Sequence, residues 1–354
     1  MTTEATAQRE SPPVLRRLVR VAETRGLDGL AEALSALHGF VSSDLCEVEA
    51  LLDSVPVRDD LVGRAAQNLL DLKGKRLRPL CVALSARVGG RAEPHGLARL
   101  AAAVELTHSA TLLHDDVVDA GDLRRGKPTS RVLYGNAASV FAGDWLLVQA
   151  LMHVQSAQVE GLMDRLLRII DEMIEAESVQ LEHRGVLRPD RGTYFHIIEG
   201  KTAALFRWAM VAGGRAGGLD WERCEALGRF GNDLGMAFQI VDDALDLSDS
   251  GTTGKSAFTD LKEGKLTYPL LVGLERDPAL FELLQRIVDG EGEVTEDMAS
   301  QICRSLTEHD AIETTLEVAQ AHADQGRKHL ETLPECEARV GLELVADVAV
   351  RRPS

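Results

Sequence analysis

Apolar residues recur along most of the chain with the spacing of amphipathic α-helices. Alternation with a period of two, which would indicate strands, is scarce, and the helix-favouring residues Ala, Leu, Glu and Arg are abundant. The pattern predicts an all-α protein. Helices are expected over about residues 14–38, 42–72 with a break at Pro56, 96–118, 135–158, 165–183 and 194–212, with three or four more over 270–350.

A chain of 354 residues often contains two domains. No segment rich in Gly, Ser and Pro lies near the middle to separate them, so one large helical domain is expected over 44–354. Residues 1–13 are rich in Thr, Glu, Ser and Pro, a composition typical of disordered tails. The intervening residues 14–43 are expected to form an N-terminal helical extension.

The net charge of −17 argues against nucleic acid as a partner, because proteins that bind the phosphate backbone present basic faces. The five cysteines show no Cys-x-x-Cys spacing, so neither a zinc site nor a redox pair is predicted. The N-terminus has no apolar leader, and no run of about 18 apolar residues is found. A cytoplasmic protein without an integral membrane segment is expected.

Two acidic motifs end apolar runs. Asp115 and Asp119 are four residues apart, so on a helix they project from one face about one turn apart, and Asp242 and Asp246 repeat this spacing. Like charges at this spacing destabilise a helix slightly, and a divalent cation would relieve the repulsion. One such motif is more often a solvated helix face, but two favour a site for Mg²⁺, which is held by a few carboxylates together with substrate phosphates.

Two basic segments point to a diphosphate. Residues 74–79 contain Lys75, Arg76 and Arg78, which taken alone could equally complement the dipole of a helix C-terminus. Residues 124–127 place three more cations directly after the first acidic motif. Arg offers a planar fork to phosphate oxygens and Lys a compact charge, so the two segments together favour diphosphate binding.

Further polar residues lie in less informative surroundings. Lys201 stands within an otherwise apolar helix, where a buried ammonium requires an anionic partner. Lys255 and Lys265 occupy the segment after the second acidic motif and are candidates to face phosphate. The last group, Glu175, Glu177, Gln180 and Glu182, is interpreted as a hydrophilic helix face.

Taken together, these segments resemble the trans-isoprenyl (polyprenyl) diphosphate synthase family, and most closely its medium- and long-chain members. The resemblance covers roughly residues 44–352. It rests on five motifs in the family's order: Gly74-Lys75-Arg76-Leu77-Arg78-Pro79, residues 112–119 with the tail Arg124-Arg125-Gly126-Lys127-Pro128-Thr129, Gly200-Lys201-Thr202, residues 235–246, and Glu263-Gly264-Lys265.

The resemblance implies an all-α catalytic domain over 44–354, a single large helical bundle of the isoprenoid synthase type with a central cavity. It also implies a homodimer and a Mg²⁺-dependent head-to-tail condensation of isopentenyl diphosphate onto an allylic diphosphate. In this reaction the allylic carbon–oxygen bond breaks, the isopentenyl double bond attacks the allyl cation, and a proton is lost. The protein's tasks are to orient both substrates and to exclude water.

The resemblance implies a role for each of the following site residues. Up to three Mg²⁺ ions would be held by Asp115, Asp119 and Asp242, with Asp116, Asp243 and Asp246 in support and Lys201 also counted as catalytic. A lone helical His is more often structural, but the resemblance places His108 in the isopentenyl diphosphate set with Lys75, Arg78 and Arg125. The allylic diphosphate would be bound by Arg124, Lys201, Thr202, Gln239, Lys255 and Lys265.

Product length is inferred from the residues just before Asp115. Members that stop early carry a bulky aromatic four or five residues before the first aspartate, whereas this chain has Thr111 and Ala110, with Thr107 one turn further back. A product of geranylgeranyl length or longer is therefore expected, and Ala110→Phe is expected to shorten it. The chain departs from the family pattern at Lys73, where a second glycine is usual.

Three alternatives remain open. A class I terpene cyclase also uses an acidic helix and Mg²⁺ but does not need the basic segment at 74–79, and a head-to-head condensing enzyme is disfavoured for the same reason. A non-catalytic subunit of a heteromeric prenyl diphosphate synthase would typically have lost acidic residues, whereas both motifs are intact here.

Overall fold

The all-α class predicted from the hydrophobic pattern is confirmed. Among the described residues the only sheet is one two-stranded antiparallel hairpin, and nearly all other regular structure is helical. These residues divide into two compact units, each assembled from separate stretches of the chain. The computed structural model describes residues 28–56, 58–72, 74, 76–91, 94–188, 190–248, 258–290 and 294–351.

The first unit contains the described residues up to Met163 together with Ala212–Asp220 and Cys336–Leu344. Its longest continuous stretch carries α1 (Asp28–Asp53), α2 (Leu61–Leu70), α3 (Leu77–Val88), α4 (Leu97–Val118), the hairpin of β1 (Leu123–Arg124) and β2 (Lys127–Pro128), α5 (Ser130–Tyr134) and α6 (Asn136–Ala157).

Helix α4 forms the centre of this unit and packs against α1, α3 and α6. From Leu100 to Ala110 every side chain of α4 is buried except that of His108. Close packing elsewhere in the unit depends on glycine: a Cβ on Gly217 would lie 2.1 Å from the carbonyl oxygen of Ala86, so a side chain there would clash with α3.

Helix α1 is continuous across residues 43 and 44, the predicted boundary between the extension and the main domain. The predicted tail and the first half of the predicted extension fall within residues 1–27, outside the described residues. Both boundaries stay predictions.

The second unit contains Asp164–Val211, the described residues of Trp221–Glu335 and the chain from Val345 onward. The helices that carry these residues are α7 (Leu162–Glu182), α8 (Arg191–Ile198), α9 (Ala204–Ala216), α10 (Trp221–Ser248), α11 (Thr259–Lys262), α12 (Tyr268–Arg276), α13 (Pro278–Asp289), α14 (Glu296–Glu308), α15 (Ala311–Leu330) and α16 (Glu337–Val350).

One predicted helix is interrupted. The expected helix over 194–212 is instead α8 and α9 joined by a π-helical turn, Glu199–Ala203. Such turns are frequent at functional sites. This turn and α15 both pack against α10, which carries the second acidic motif.

Helix α6 is the one helix among the described residues that is long and apolar enough to cross a bilayer by length and composition. The same test is passed by core helices of soluble proteins, so the observation is weak evidence for a membrane span. Several of its side chains, including Ala142, Leu146 and Ala150, are completely buried within the protein.

Candidate active site

The first acidic motif forms the last turn of α4. The backbone N–H of Asp119 donates to the carbonyl oxygen of Asp115 at 2.8 Å, which closes the helix, and both side chains are partly exposed. Asp116 between them is buried, and its Oδ1 accepts hydrogen bonds from Nε and Nη2 of Arg124 at 3.0 and 2.8 Å. The motif thus presents two accessible carboxylates, while the third one positions Arg124.

Arg124 and Arg125 lie in the β1–β2 hairpin. Leu123 pairs with Pro128 and Arg124 with Lys127, which leaves a two-residue turn. Its residues Arg125 and Gly126 have φ of 51° and 75°, and two positive φ values are the mark of a type I′ turn. The Arg125 guanidinium donates through Nη1 to the carbonyl oxygen of Leu72 at 3.0 Å, a different partner from that of Arg124.

The basic segment before α3 turns one of its arginines inward. Arg76 has a left-handed backbone, with φ 52° and ψ 29°, directly before the first turn of the helix. Its Nε lies 2.7 Å from Oε1 of Glu49, and its Nη1 lies 2.6 Å from Oε1 of Glu105. Gly74 packs on the same group, since a Cβ there would lie 2.7 Å from Oε1 of Glu105. Arg76 is therefore a structural residue of this segment.

Four residues predicted to bind substrate are close neighbours in the first unit, namely His108, Arg78, Arg124 and Arg125. Burial, and then the guanidinium charges of Arg78, Arg124, Arg125 and Arg76, lower the pKa of His108 well below its usual value. The imidazole is consequently neutral among cations. Several guanidinium groups around one neutral imidazole suit the binding of a diphosphate group. Lys75, the remaining member of the predicted isopentenyl diphosphate set, lies outside the described residues.

The residues predicted to border the hydrocarbon tail differ in exposure. Thr107 and Ala110 are buried, and the Thr107 hydroxyl donates to the carbonyl oxygen of Ala103 at 2.9 Å. Thr111 is partly exposed, and it shares this property with Asp115 one turn later. Of the three predicted positions, Thr111 is therefore the one on the accessible face of α4.

The second unit contains a cavity of about 160 Å³. Polar side chains from four different parts of the unit line it, and they include four residues predicted to bind the allylic diphosphate and one, Asp243, predicted to support Mg²⁺ binding. These are Lys201, Thr202, Gln239, Asp243 and Lys265.

Lys201 lies in the π-helical turn, and its Nζ donates to Oε2 of Glu177 at 2.5 Å and to Oε1 of Gln180 at 2.9 Å. The anionic partner expected for this lysine is therefore Glu177. The interpretation of Glu177 and Gln180 as part of a hydrophilic face is wrong. Glu177 and Gln180 are three residues apart, which places both on one face of α7. This spacing is the sequence feature that could have identified them as joint partners of Lys201.

A chain of hydrogen bonds runs along one wall of the cavity. The Thr202 hydroxyl donates to Oε1 of Gln239 at 2.9 Å, and Nε2 of Gln239 donates to Oδ1 of Asp243 at 2.9 Å. The other carboxylate oxygen of Asp243 accepts from the hydroxyl of Tyr194 at 2.6 Å. The sequence did not single out Tyr194, because its partner lies 49 residues away along the chain.

Lys265, which follows the second acidic motif in sequence, borders the same cavity. Its Nζ lies 2.6 Å from Oε2 of Glu263, and its backbone N–H donates to the carbonyl oxygen of Asp260 at 2.8 Å. The ammonium group is thereby held next to the cavity. Lys255, the other lysine predicted to face phosphate, lies outside the described residues.

The second acidic motif is electrostatically crowded. Burial, and then the charge of Asp260, raise the pKa of Asp243, and the same two causes raise the pKa of Asp246 to about 7. A cation would relieve this crowding, and carboxylate oxygens are the donors that Mg²⁺ prefers. No three His, Cys, Asp or Glu side chains of the described part of the chain form a metal site by themselves. Mg²⁺ still fits the residues, because it is usually held by one or two carboxylates, waters and substrate phosphates.

Comparisons with known proteins agree with this arrangement. Residues 59–306 match the Polyprenyl synthetase family. Octaprenyl diphosphate synthase from Escherichia coli (strain K12) is 32% identical over 325 residues, which cover 90% of this chain and 99% of that protein. The crystal structure of a decaprenyl diphosphate synthase from Rhodobacter capsulatus has a TM-score of 0.83 at 34% identity and covers 90% of this chain and 98% of its own. A polyprenyl synthase from Caulobacter crescentus CB15, complexed with calcium and isoprenyl diphosphate, has a TM-score of 0.83 at 36% identity, with coverage of 98% and 100%.

Fold and motifs define an all-α isoprenoid synthase, as predicted. The chain belongs to the polyprenyl synthetase family and is a prenyltransferase that makes trans-prenyl diphosphates. Products named for its relatives extend from geranylgeranyl to decaprenyl diphosphate, in agreement with the predicted product of geranylgeranyl length or longer. The family depends on Mg²⁺ in general.

Proposed function

We propose that the protein elongates an allylic diphosphate with isopentenyl diphosphate through two separate diphosphate-binding sets. The observation that carries this proposal is that each unit holds one such set. His108 with Arg78 and Arg125 forms one, and the polar wall of the cavity around Lys201 forms the other. A class I terpene cyclase takes a single diphosphate and would have no use for the first set.

In the proposed reaction, Arg78, Arg125 and His108 hold isopentenyl diphosphate, together with Lys75. Asp115, Asp119 and Asp242 would hold up to three Mg²⁺ ions, whose positive charge would stabilise the departing diphosphate. Arg124, fixed by Asp116, extends the binding of that group.

The second set orients the allylic diphosphate. Lys201, Thr202, Gln239 and Lys265, with Lys255, hold the group while its carbon–oxygen bond breaks and the isopentenyl double bond attacks the allyl cation. A proton is then lost from the adduct. Each positive group acts by position, because preorganised charges are already oriented when the bond breaks.

The test is incubation of the purified protein with Mg²⁺, labelled isopentenyl diphosphate and a panel of allylic primers, followed by chromatographic sizing of the product. Incorporation of label into a product of at least twenty carbons is expected. Hydrocarbon released from an allylic diphosphate alone would instead identify a cyclase, and the proposal would be overturned.

The heteromeric alternative has one specific observation in its favour. Heptaprenyl diphosphate synthase component 2 of Bacillus subtilis (strain 168) is 32% identical over 318 residues, and its name implies a partner component. Activity of the purified chain alone separates the two cases, since a dependent subunit would incorporate no label by itself.

We further propose a homodimer, on the basis of two exposed apolar stripes. On α6, Phe141 is 59% exposed and Met152 58% exposed, with Val148 between them. On α7, Leu167, Ile174 and Leu181 recur every seven residues, which is the repeat of helices that pack against one another. Stripes of this kind mark interaction sites, and a second copy of the chain is the occupant proposed.

The dimer is tested by light scattering during size-exclusion chromatography. Replacing Phe141 and Met152 together by Glu is expected to release monomers. Leu316→Glu is the matched control, because Leu316 is 40% exposed but lies on another helix, α15. A wild-type protein that elutes as a monomer at micromolar concentration would end this part of the proposal.

A further inference from the structure

We infer that Tyr194 is a positioning residue for the allylic diphosphate, acting through Asp243 and Gln239. The inference rests on the proposed function of the cavity. Tyr194 is buried, with 6% of its surface exposed, and it borders the cavity, where its hydroxyl donates to Asp243 in the polar wall.

The orientation of the wall depends on the two oxygens of Asp243. One accepts from Tyr194 at 2.6 Å and the other from Nε2 of Gln239 at 2.9 Å. Because the amide nitrogen of Gln239 is engaged in this way, its oxygen must face Thr202, whose hydroxyl then donates to it at 2.9 Å. Tyr194 therefore ends a chain in which each donor and acceptor has one assigned direction.

Loss of the Tyr194 hydroxyl would leave one oxygen of a nearly completely buried carboxylate without this donor. Asp243 is 3% exposed, so water cannot easily replace the bond, and the carboxylate is expected to rotate toward other donors. Gln239 would then lose its fixed amide orientation, and Thr202 would lose its fixed acceptor. Both residues line the cavity, so the effect reaches the groups proposed to bind the substrate.

The chain offers a matched control in Tyr268. Its ring centroid lies 5.3 Å from that of Tyr194, and it is also buried, with 1% exposed. Its hydroxyl accepts from Nη1 of Arg191 at 3.0 Å and does not take part in the Thr202–Gln239–Asp243 chain. Tyr194→Phe and Tyr268→Phe each remove one buried hydroxyl from the same aromatic cluster, so an effect on packing alone would appear in both.

The experiment compares steady-state kinetics and melting temperatures of the wild type and the two variants. Tyr194→Phe is expected to raise the KM for the allylic diphosphate about tenfold and to leave the KM for isopentenyl diphosphate within about twofold, the effect of losing one buried hydrogen bond. Tyr268→Phe is expected to keep both KM values near those of the wild type. Equal changes of the allylic KM in both variants, or none in Tyr194→Phe, would overturn the inference.

Two further measurements separate this inference from the proposed function. If the wild type shows no condensation, binding of inorganic diphosphate with Mg²⁺ is measured by calorimetry, where Tyr194→Phe is again expected to bind about tenfold more weakly than Tyr268→Phe. A double-mutant cycle between Tyr194→Phe and Thr202→Val then tests the chain itself. If the fold-change in binding of the double variant is smaller than the product of the two single fold-changes, the residues are coupled through Gln239 and Asp243. A double variant whose fold-change equals that product would count against the coupling.

Discussion

Nη1 of Arg76 lies 2.6 Å from Oε1 of Glu105, and the two side chains are only 6% and 5% exposed. With Glu49 on the other side of the guanidinium, this ion pair joins the segment before α3 to α4 and α1. Replacing one partner of a buried pair leaves an uncompensated charge, which costs far more than the loss of a surface pair.

Arg76→Ala is therefore expected to lower the free energy of unfolding by about 3–5 kcal/mol. Denaturant titration followed by circular dichroism measures the change. Arg58→Ala is the control, because its pair with Asp60 is exposed and its loss is expected to leave stability almost unchanged. Similar midpoints for both variants would show that the buried pair does not stabilise this segment.

His108 is expected to make stability depend on pH. Its folded pKa is well below the usual value, so below about pH 6.5 the unfolded chain binds a proton that the folded protein does not. Stability from this group is complete above pH 6.5 and is lost as the pH falls toward the lowered pKa, by at most about 1.4 kcal/mol per pH unit.

The measurement is the difference in unfolding free energy between pH 7.5 and pH 5.5 in the wild type and in His108→Gln. We expect the difference to be about 1 kcal/mol smaller in the variant, because glutamine does not titrate. An identical difference in both proteins would show that the imidazole is not held neutral in the folded state.

Asp116→Asn tests the role assigned to the buried member of the first acidic motif. The substitution keeps the shape of the side chain but removes the charge that holds Arg124 through two hydrogen bonds. The KM for the allylic diphosphate is expected to rise about tenfold, since a charge-assisted contact is replaced by a neutral one. A rise confined to the KM for isopentenyl diphosphate would assign Arg124 to the other substrate.

Product length is expected to respond differently at two adjacent positions. Thr111→Phe places a ring on the accessible face of α4, one turn before Asp115, and is expected to shorten the product. Ala110 is 1% exposed, so the ring in Ala110→Phe must also displace core neighbours, with an expected loss of about 1–3 kcal/mol of stability.

Chromatographic sizing of the product and thermal melting measure the two effects. A shorter product with unchanged melting is expected only for Thr111→Phe. Unchanged product length in both variants would remove this face of α4 from the path of the tail.

The helices were predictable because their signal is local. Helix α4 extends from Leu97 to Val118, within a residue of the segment predicted from its apolar run. The π-helical turn at Glu199–Ala203 was missed because residues 203–212 after it are apolar except for Arg207, so a shift in helical phase leaves no break in the pattern. The hairpin was missed as well, since a type I′ turn favours Asn or Gly where this chain has Arg125.

The site was predictable in its residue types but not in its internal division of roles. Arg76 and Arg78 look alike in sequence, and only the left-handed backbone at Arg76 directs its guanidinium to Glu49 and Glu105. The bond between Tyr194 and Asp243 joins positions 49 residues apart, and no local pattern encodes such a pairing.

The type I′ turn directs the side chains of two consecutive arginines to different partners. Arg124 reaches the acidic end of α4, while Arg125 reaches the carbonyl group of Leu72 before α3. With the roles proposed above, adjacent residues of one turn then contact the diphosphates of both the donor and the acceptor of the prenyl group. A deletion or a proline in this turn would disturb recognition of both reactants at once, and no change confined to one substrate pocket could restore it.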